Sequence, residues 1–187
     1  RVLGKLAELA DAGIRIHYFV GNHDLWMQDY FEVELNIPVH HAPLEIIWND
    51  KTFLIGHGDG LGPGDNGYKR MKRVFTNPLA QALFRCLPTR WGIGLGQYLS
   101  LKNKMISGEE TPHFLGNDKE WLVHYCQEKE KEKKRHYYIF GHRHLPLNIS
   151  IDDGATYFNL GDWIVHDTYA VFDGYKTELK TWTPTHD

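Results

Sequence analysis

The chain has 187 residues, of which 42% are hydrophobic and 13% aromatic; this apolar content supports a folded core and excludes a disordered chain. Its formal net charge of −3 is small, and no run approaches the ~18 uninterrupted apolar residues of a membrane-spanning helix. Its two cysteines form no Cys-x-x-Cys pair and support no disulfide framework, so we expect a reducing compartment.

The first thirteen residues predict a helix that is already under way where the sequence starts. Leu3, Leu6 and Leu9 recur on one helical face, and Gly13 is suited to end the helix. Proteins do not normally begin in mid-helix. We therefore expect this sequence to be part of a longer chain.

Further along the chain, runs of β-branched and aromatic residues predict strands, and turn residues join several of them in pairs. Residues 14–20 predict a buried strand, and Asn49-Asp50 predicts a hairpin turn between strands over 44–48 and 52–55. The other predictions, in chain order, are a helical stretch over 68–105 broken at Pro78, Pro88 and the Gly92/Gly94/Gly96 series, a helix over 117–135, a strand over 137–140, and hairpins over 147–160 and 169–182.

This order of elements predicts an α/β fold in which sheets are flanked by helices. We expect one domain over residues 1–187, because no internal repeat or low-complexity linker divides the sequence. Residues 65–116, called the insertion below, are expected to form a helical lid between two strand-bearing halves.

Three short motifs share one setting, in which an apolar strand is followed by glycine and then by metal-ligand residue types. They are Gly21-Asn22-His23-Asp24, Gly56-His57-Gly58-Asp59 and Gly141-His142-Arg143-His144. A sheet can aim residues from several strand ends at one point, and glycine lets the backbone turn sharply there. Imidazole nitrogens and amide or carboxylate oxygens are ligands that borderline divalent metals accept. The combination predicts a metal site.

Each motif taken alone has an ordinary structural interpretation. A histidine after a strand is usually a hydrogen-bonded structural residue, and Gly-Asn-His-Asp can be a simple turn. Three such motifs in this order, each after a strand, are much harder to obtain by chance, which favours the metal interpretation. The other histidines have no such context, and we expect them to be surface or core residues.

The three motifs resemble the third, fourth and fifth blocks of the calcineurin-like metallophosphoesterases. The resemblance implies a four-layer αββα sandwich that hydrolyses phosphoesters with two divalent metal ions. Mn²⁺ is the common metal of the family, and the sequence does not distinguish it from Fe or Zn. The resemblance also implies that Asn22, His57 and His142 ligate one metal ion and that His144 ligates the other.

The same resemblance implies the catalytic groups. His23 is expected to lie against the scissile phosphate, where it stabilises negative charge or helps the leaving group, and Asp24 is expected to orient His23. In such two-metal sites a bridging hydroxide attacks phosphorus in line while both ions neutralise the phosphoryl oxygens.

Two blocks of the family pattern, Asp-x-His and Gly-Asp-x-x-Asp, are absent from this sequence. In the family they lie upstream of a helix like that of residues 1–13, and they supply most ligands of the first metal and the bridging carboxylate. Because every downstream ligand position is intact, truncation explains their absence better than evolved loss. We expect the sequence as written to hold at best one poor metal site, and its activity without the missing ligands stays open.

Longer segments carry a narrower resemblance over essentially the whole chain. They are residues 56–69, Asn77-Pro78, 92–95, 114–116, 120–122 and 159–163. These segments resemble the UDP-2,3-diacylglucosamine pyrophosphatase branch of the family, which implies hydrolysis of that lipid to UMP and 2,3-diacylglucosamine 1-phosphate in lipid A biosynthesis. The resemblance implies substrate contacts at Asp65, Tyr68, Ser100, Asn103 and Lys104.

The composition of the insertion agrees with this substrate independently. Residues 65–105 hold eight basic residues against one acidic residue, interleaved with apolar and aromatic side chains. A cationic and apolar helical cap suits an anionic head group with fatty chains, and also the surface of an anionic membrane. The alternative is an amphipathic helix pair that packs on the domain. We expect an enzyme on the cytoplasmic face of the bacterial inner membrane, with no nucleic-acid partner and with its oligomeric state open.

Two other functions stay open at this point. One is a metallophosphoesterase with a different substrate, and the other is a non-catalytic scaffold with the same fold. The apolar insertion argues against a nucleic-acid substrate, since such sites favour basic residues with exposed stacking aromatics. The retained ligand positions argue against a scaffold.

Overall fold

The computed structural model describes residues 1–64, 66–106, 113–114 and 116–184, with the backbone alone over 99–106 and at residue 153. The helices are α1 Val2–Asp11, α2 Tyr30–Val33, α3 Asn66–Phe75, α4 Pro78–Arg85, α5 Thr89–Ile106 and α6 Trp121–Glu132. The strands are β1 Tyr18–Phe19, β2 Val39–His40, β3 Leu44–Trp48, β4 Lys51–Ile55, β5 Tyr137–Phe140, β6 Pro146–Ser150, β7 Thr156–Leu160, β8 Thr168–Phe172 and β9 Thr177–Thr181.

A five-stranded mixed sheet in the order β3-β4-β5-β7-β6 forms the centre of the fold. Its three middle strands, β4, β5 and β7, are parallel, with Ile55 opposite Ile139 and Ile139 opposite Phe158. The two outer strands pair antiparallel. Because parallel strands point the same way, the residues that follow β4, β5 and β7 emerge at one edge of the sheet.

Each face of this sheet is covered by a different element. On one face Leu54 and Tyr138 pack with Leu122 and Cys126 of α6 in the larger apolar core. On the other face the residues that alternate with them, such as Phe53, contact the β8–β9 hairpin. The alternation follows from the two-residue period of a strand, which sends successive side chains to opposite faces. The predicted α/β sandwich is confirmed.

The first predicted strand is much shorter than expected. Only Tyr18 and Phe19 of the predicted stretch 14–20 form a strand, and they pair in parallel with Val39 and His40. A strand needs a partner along its length, and the partner strand β2 has only two residues. Ile14, at the start of the stretch, is 53% exposed, so the prediction of a buried strand over all of 14–20 is wrong in extent.

The three predicted hairpins are confirmed. At the first, Trp48 pairs with Lys51 around a two-residue turn in which Asn49 and Asp50 both have positive φ, 44° and 62°. This is the backbone of a type I′ turn, which Asn and Asp tolerate better than other non-glycine residues. The β6–β7 and β8–β9 pairs are also antiparallel.

The helical stretch predicted over 68–105 is confirmed as α3, α4 and α5, but one of its predicted breaks is wrong. Pro78 opens α4 behind an Asn77 cap, whose side-chain oxygen accepts hydrogen bonds from the backbone amides of Leu79 and Ala80. Pro88 precedes α5, and α5 then continues through Gly92, Gly94 and Gly96. Glycine weakens a helix by about 1 kcal/mol relative to alanine but keeps its amide donor, so the helix can continue. None of the described helices is long and apolar enough to cross a membrane.

The helix predicted over 117–135 is confirmed with different ends. A single 3₁₀ turn, Asn117–Lys119, precedes it, and α6 itself begins at Trp121 and ends at Glu132. The predicted strand over 137–140 is confirmed as β5.

Replacing Gly94 with alanine should raise the free energy of unfolding by about 0.5–1 kcal/mol, because alanine favours the helix and reduces unfolded-chain freedom. A methyl group at Gly94 would meet no atom within 4 Å. Urea denaturation measures the change.

Gly64→Ala is the matched control, since a methyl group there also meets open space but the backbone has φ +88°. This variant should lose about 1 kcal/mol, because a side chain disfavours that conformation. Equal changes in the two variants would contradict the explanation.

Candidate active site

Two of the three glycine-led motifs meet at the carboxyl edge of the parallel strands. The Gly56 amide donates to the Ile139 carbonyl at 3.1 Å, and the Gly141 amide donates to the His57 carbonyl at 2.9 Å. These bonds continue the β4–β5 pairing one step beyond the strands. They hold the loops with His57 and His142 side by side.

The third motif, which follows β1, reaches the same place. The Oδ1 atom of Asn22 lies 3.0 Å from Nε2 of His57, and the rings of His57 and His142 have centroids 5.2 Å apart. Residue 21 must be glycine for this approach, since a Cβ atom on Gly21 would lie 2.7 Å from His57 Nε2. The structure thus brings Asn22, His57 and His142 together.

Both histidines at this point favour the neutral form. Burial lowers the pKa of His57, and burial together with the nearby His57 lowers the pKa of His142 to about 4. A neutral imidazole offers a lone pair to a metal ion, whereas a protonated one does not. At neutral pH the pair is therefore in the form that can ligate a cation.

The loop with His142 and His144 has an unusual backbone. Both residues have positive φ, 69° and 51°, and the Arg143 amide donates to the Gly141 carbonyl at 2.8 Å across a three-residue turn. Such conformations are uncommon for residues with a side chain and persist only where surrounding contacts impose them. His144 itself is exposed.

Three contacts impose this loop conformation, and the sequence did not identify any of them as part of the site. Nε of Arg143 donates to Oε2 of Glu120 at 3.0 Å, and the guanidinium lies 4.7 Å from the centre of the Trp121 ring. Both charged side chains are at most 5% exposed. On the other side, Nδ2 of Asn159 donates to the Gly141 carbonyl. A buried ion pair fixes position strongly, because either charge alone would be costly there.

His23 and Asp24, predicted as the catalytic pair, lie on the loop that contains Asn22. His23 is exposed, and Asp24 accepts a hydrogen bond from the Tyr18 hydroxyl at 3.0 Å. Burial, with the hydrogen bond and charge of Asp24, raises the pKa of Tyr18 to about 12. Tyr18 therefore stays protonated and fixes Asp24; the orientation of His23 by Asp24 stays a prediction.

The predicted substrate residues fall into two groups. Tyr68 is described and is only 5% exposed, with its hydroxyl donating to Oδ2 of Asp59 at 2.5 Å. Asp65 and the side chains of Ser100, Asn103 and Lys104 lie outside what the structure describes. Their roles toward substrate stay predictions.

A small open cleft lies beside His57. Its lining includes His40 and His41, which were expected to be ordinary surface or core residues, and Lys72 of α3. His40 pairs with His17, with 2.9 Å between Nε2 and Nδ1. Nothing in the sequence indicates that His40 lies near His57, because the parallel β1–β2 pairing brings it there.

The side chains of Asn22, His57 and His142 are of types that ligate a divalent metal ion, but they supply only part of a coordination sphere. An amide oxygen and two neutral imidazoles are suitable ligands. Within the described ranges, however, no group of three or more His, Cys, Asp and Glu side chains could hold a metal ion.

Comparison with known proteins decides the family. A protein of Porphyromonas gingivalis described as UDP-2,3-diacylglucosamine hydrolase is 40% identical over 194 residues, which cover 97% of this chain and 74% of that protein. The chain belongs to the UDP-2,3-diacylglucosamine hydrolase family. A relative of the same description from Edwardsiella ictaluri is 25% identical, over 96% of this chain and 69% of its own length. The resemblance found in the sequence is confirmed.

Two other comparisons add nothing to this assignment. No family model matches the chain. A Thermotoga maritima protein solved by NMR covers 96% of this chain and 74% of its own at 16% identity, with a TM-score of 0.40, too low to support a conclusion about the fold.

Replacing Arg143 with methionine should lower the free energy of unfolding by about 3–5 kcal/mol, because it leaves Glu120 buried without its partner. The double variant with Glu120→Gln should recover most of that loss, since neither charge then remains buried. Urea denaturation of the four proteins in this cycle measures both effects.

Lys5→Met is the control, since it breaks the exposed Lys5–Glu8 pair. It should change stability by less than about 1 kcal/mol. If Arg143→Met lowers the free energy of unfolding by no more than Lys5→Met does, the buried pair does not hold the loop.

Proposed function

We propose that this protein hydrolyses the pyrophosphate bond of UDP-2,3-diacylglucosamine to UMP and 2,3-diacylglucosamine 1-phosphate, a step of lipid A biosynthesis. The observation that carries the proposal is the 40% identity with the Porphyromonas gingivalis hydrolase over nearly the whole chain. In this reaction the oxygen of one water molecule bonds to phosphorus and the bridging P–O bond breaks, so that both products leave as phosphates.

A divalent metal ion is the cofactor class that the family and the donor chemistry support. We assign Asn22, His57 and His142 to one ion and His144 to a second, with Mn²⁺ as the expected metal. Bound there, such ions would neutralise phosphoryl oxygens and make water more acidic. The proximity of Asn22 and His57, 3.0 Å between Oδ1 and Nε2, supports a shared ion.

His23 is the proposed group on the scissile phosphate. Its exposure on the Asn22 loop supports this role, since it leaves the imidazole accessible to a ligand. A protonated imidazole placed there would stabilise the charge that develops on phosphate oxygens. Asp24, fixed by Tyr18, is proposed to orient it.

The insertion is proposed to bind the acyl chains and to rest on the inner-membrane surface. Its helices expose large apolar side chains, with Leu79, Leu83 and Trp91 each more than 60% exposed. The surplus of basic residues suits the phosphates of the substrate and of anionic lipids. Tyr68 is proposed as a substrate contact at the start of the insertion, together with Asp65, Ser100, Asn103 and Lys104.

The test is UMP release from UDP-2,3-diacylglucosamine in detergent micelles by protein expressed from its complete gene, with Mn²⁺ added. His23→Gln should lower kcat by about 10²-fold or more, a usual loss for such a group, while Mn²⁺ affinity changes little. His136→Gln, a change at an exposed histidine that precedes β5 and so lies at the other end of that strand from His142, is the control and should leave kcat unchanged.

Two results would overturn the proposal. Cleavage of a soluble phosphodiester without release of UMP from the lipid would indicate a phosphoesterase with another substrate. Absence of metal binding would indicate a scaffold.

A further inference from the structure

Trp26 connects the Asn22 loop to the insertion. Its indole Nε1 donates to the backbone carbonyl of Phe75, at the end of α3, at 2.7 Å. Its ring meets Phe84 of α4 edge-on, with centroids 4.6 Å apart. The residue stands four positions after Asn22, so one short loop contains both a proposed metal ligand and this contact.

The Phe75 carbonyl is one of those that a helix end leaves without a partner inside the helix. Trp26 satisfies it together with Gln81, whose Nε2 donates to the same oxygen at 2.9 Å. The bond from Trp26 thus fixes the end of α3 in direction as well as in distance. The Phe84 ring also lies close to α5, since a Cβ atom added at Gly92 would be 3.5 Å from it. Trp26 therefore contacts α4 directly and α5 through Phe84.

The loop after His57 also binds α3. The Asp59 carboxylate accepts hydrogen bonds from the Tyr68 hydroxyl at 2.5 Å and from Nζ of Lys72 at 2.6 Å. Nζ of Lys69 donates to the Gly62 carbonyl at 2.6 Å. The loop after His57 therefore holds α3 from Tyr68 in its first turn to Lys72 in its last turn, and the loop after Asn22 holds its final carbonyl.

These directional contacts matter because α3 and α4 have little buried surface. Tyr68 is the one buried side chain of α3, and α4 buries none. Apolar packing alone fixes orientation poorly when so few side chains are buried. The placement of the insertion then depends on Trp26, which binds the end of α3, and on Asp59, which binds Tyr68 and Lys72 along it.

We propose that Trp26 is a positioning residue that sets the insertion against the Asn22 and His57 loops. A two-chain lipid bound by the insertion then presents its pyrophosphate to these loops, whereas a small soluble phosphodiester reaches them without the insertion. Trp26 thereby favours the lipid over soluble diesters. This selectivity rests on the proposed function, but the placement of the insertion does not.

Amide hydrogen exchange tests the placement without any need for activity. In Trp26→Ala the amides of residues 66–85 should exchange about 10-fold faster, since both the hydrogen bond and the ring contact are lost. Trp26→Phe keeps a ring but has no N–H donor. Its amide exchange rates should lie between those of Trp26→Ala and those of the unaltered protein. Trp48→Ala is the control, since Trp48 lies opposite Lys51 at the start of β4, away from His57, and packs on Phe53; it should leave these amides unchanged. Equal exchange in Trp26→Ala and the unaltered protein would overturn the proposal.

Kinetics test the selectivity. In Trp26→Ala the ratio of kcat/KM for the lipid to kcat/KM for bis(p-nitrophenyl) phosphate should fall about 10-fold, mainly through a higher KM for the lipid. Trp26→Phe should restore part of the ratio. Equal losses for both substrates would overturn the proposal, because Trp26 would then act on the Asn22 loop alone. Failure of the unaltered protein to cleave the lipid would count against the proposed function, and the exchange result would still decide the placement.

Discussion

The parallel pairing of β4, β5 and β7 is the constraint on which the candidate site depends. It sends the segments after β4 and β5 to the same edge of the sheet, where backbone bonds between Gly56, Ile139, His57 and Gly141 hold the two loops together. His57 and His142 are 85 residues apart in sequence, and the strand pairing is what brings them together. The apolar cores on the two faces fix the sheet, and thereby the edge.

The loops are held by buried polar contacts rather than by apolar packing. Arg143 is fixed between Glu120 and Trp121, Asn159 binds the Gly141 carbonyl, and positive φ angles persist at the two histidines. The same principle extends to the insertion, which Trp26 and Asp59 fix with directional bonds. Proposed ligand loops and proposed lid are thus parts of one connected network.

Local signals in the sequence were sufficient for much of the fold. Asn49-Asp50 identified a type I′ hairpin because both residues tolerate positive φ, and each glycine-led motif was recognised from the strand before it. The convergence of Asn22, His57 and His142 followed from that setting. The continuation of α5 through its glycines was missed, since propensity alone does not decide where a helix ends.

Contacts that depend on tertiary packing were not predictable. The Glu120–Arg143 pair joins a helix start to a loop 23 residues later, and it exists only because α6 packs on the sheet. The short extent of β1 depends on its partner strand, and the contact of Trp26 with Phe75 spans 49 residues. Nothing in the spacing of these residues indicates that they meet.

The most direct test of the central claim is an Mn²⁺ titration of protein with ¹⁵N-labelled histidine, followed by NMR. We predict that the imidazole signals of His57 and His142 broaden first and that Asn22→Ala weakens this effect. Broadening that begins at His17 and His40, or no site-specific broadening at all, would contradict a metal site at the edge of the parallel strands.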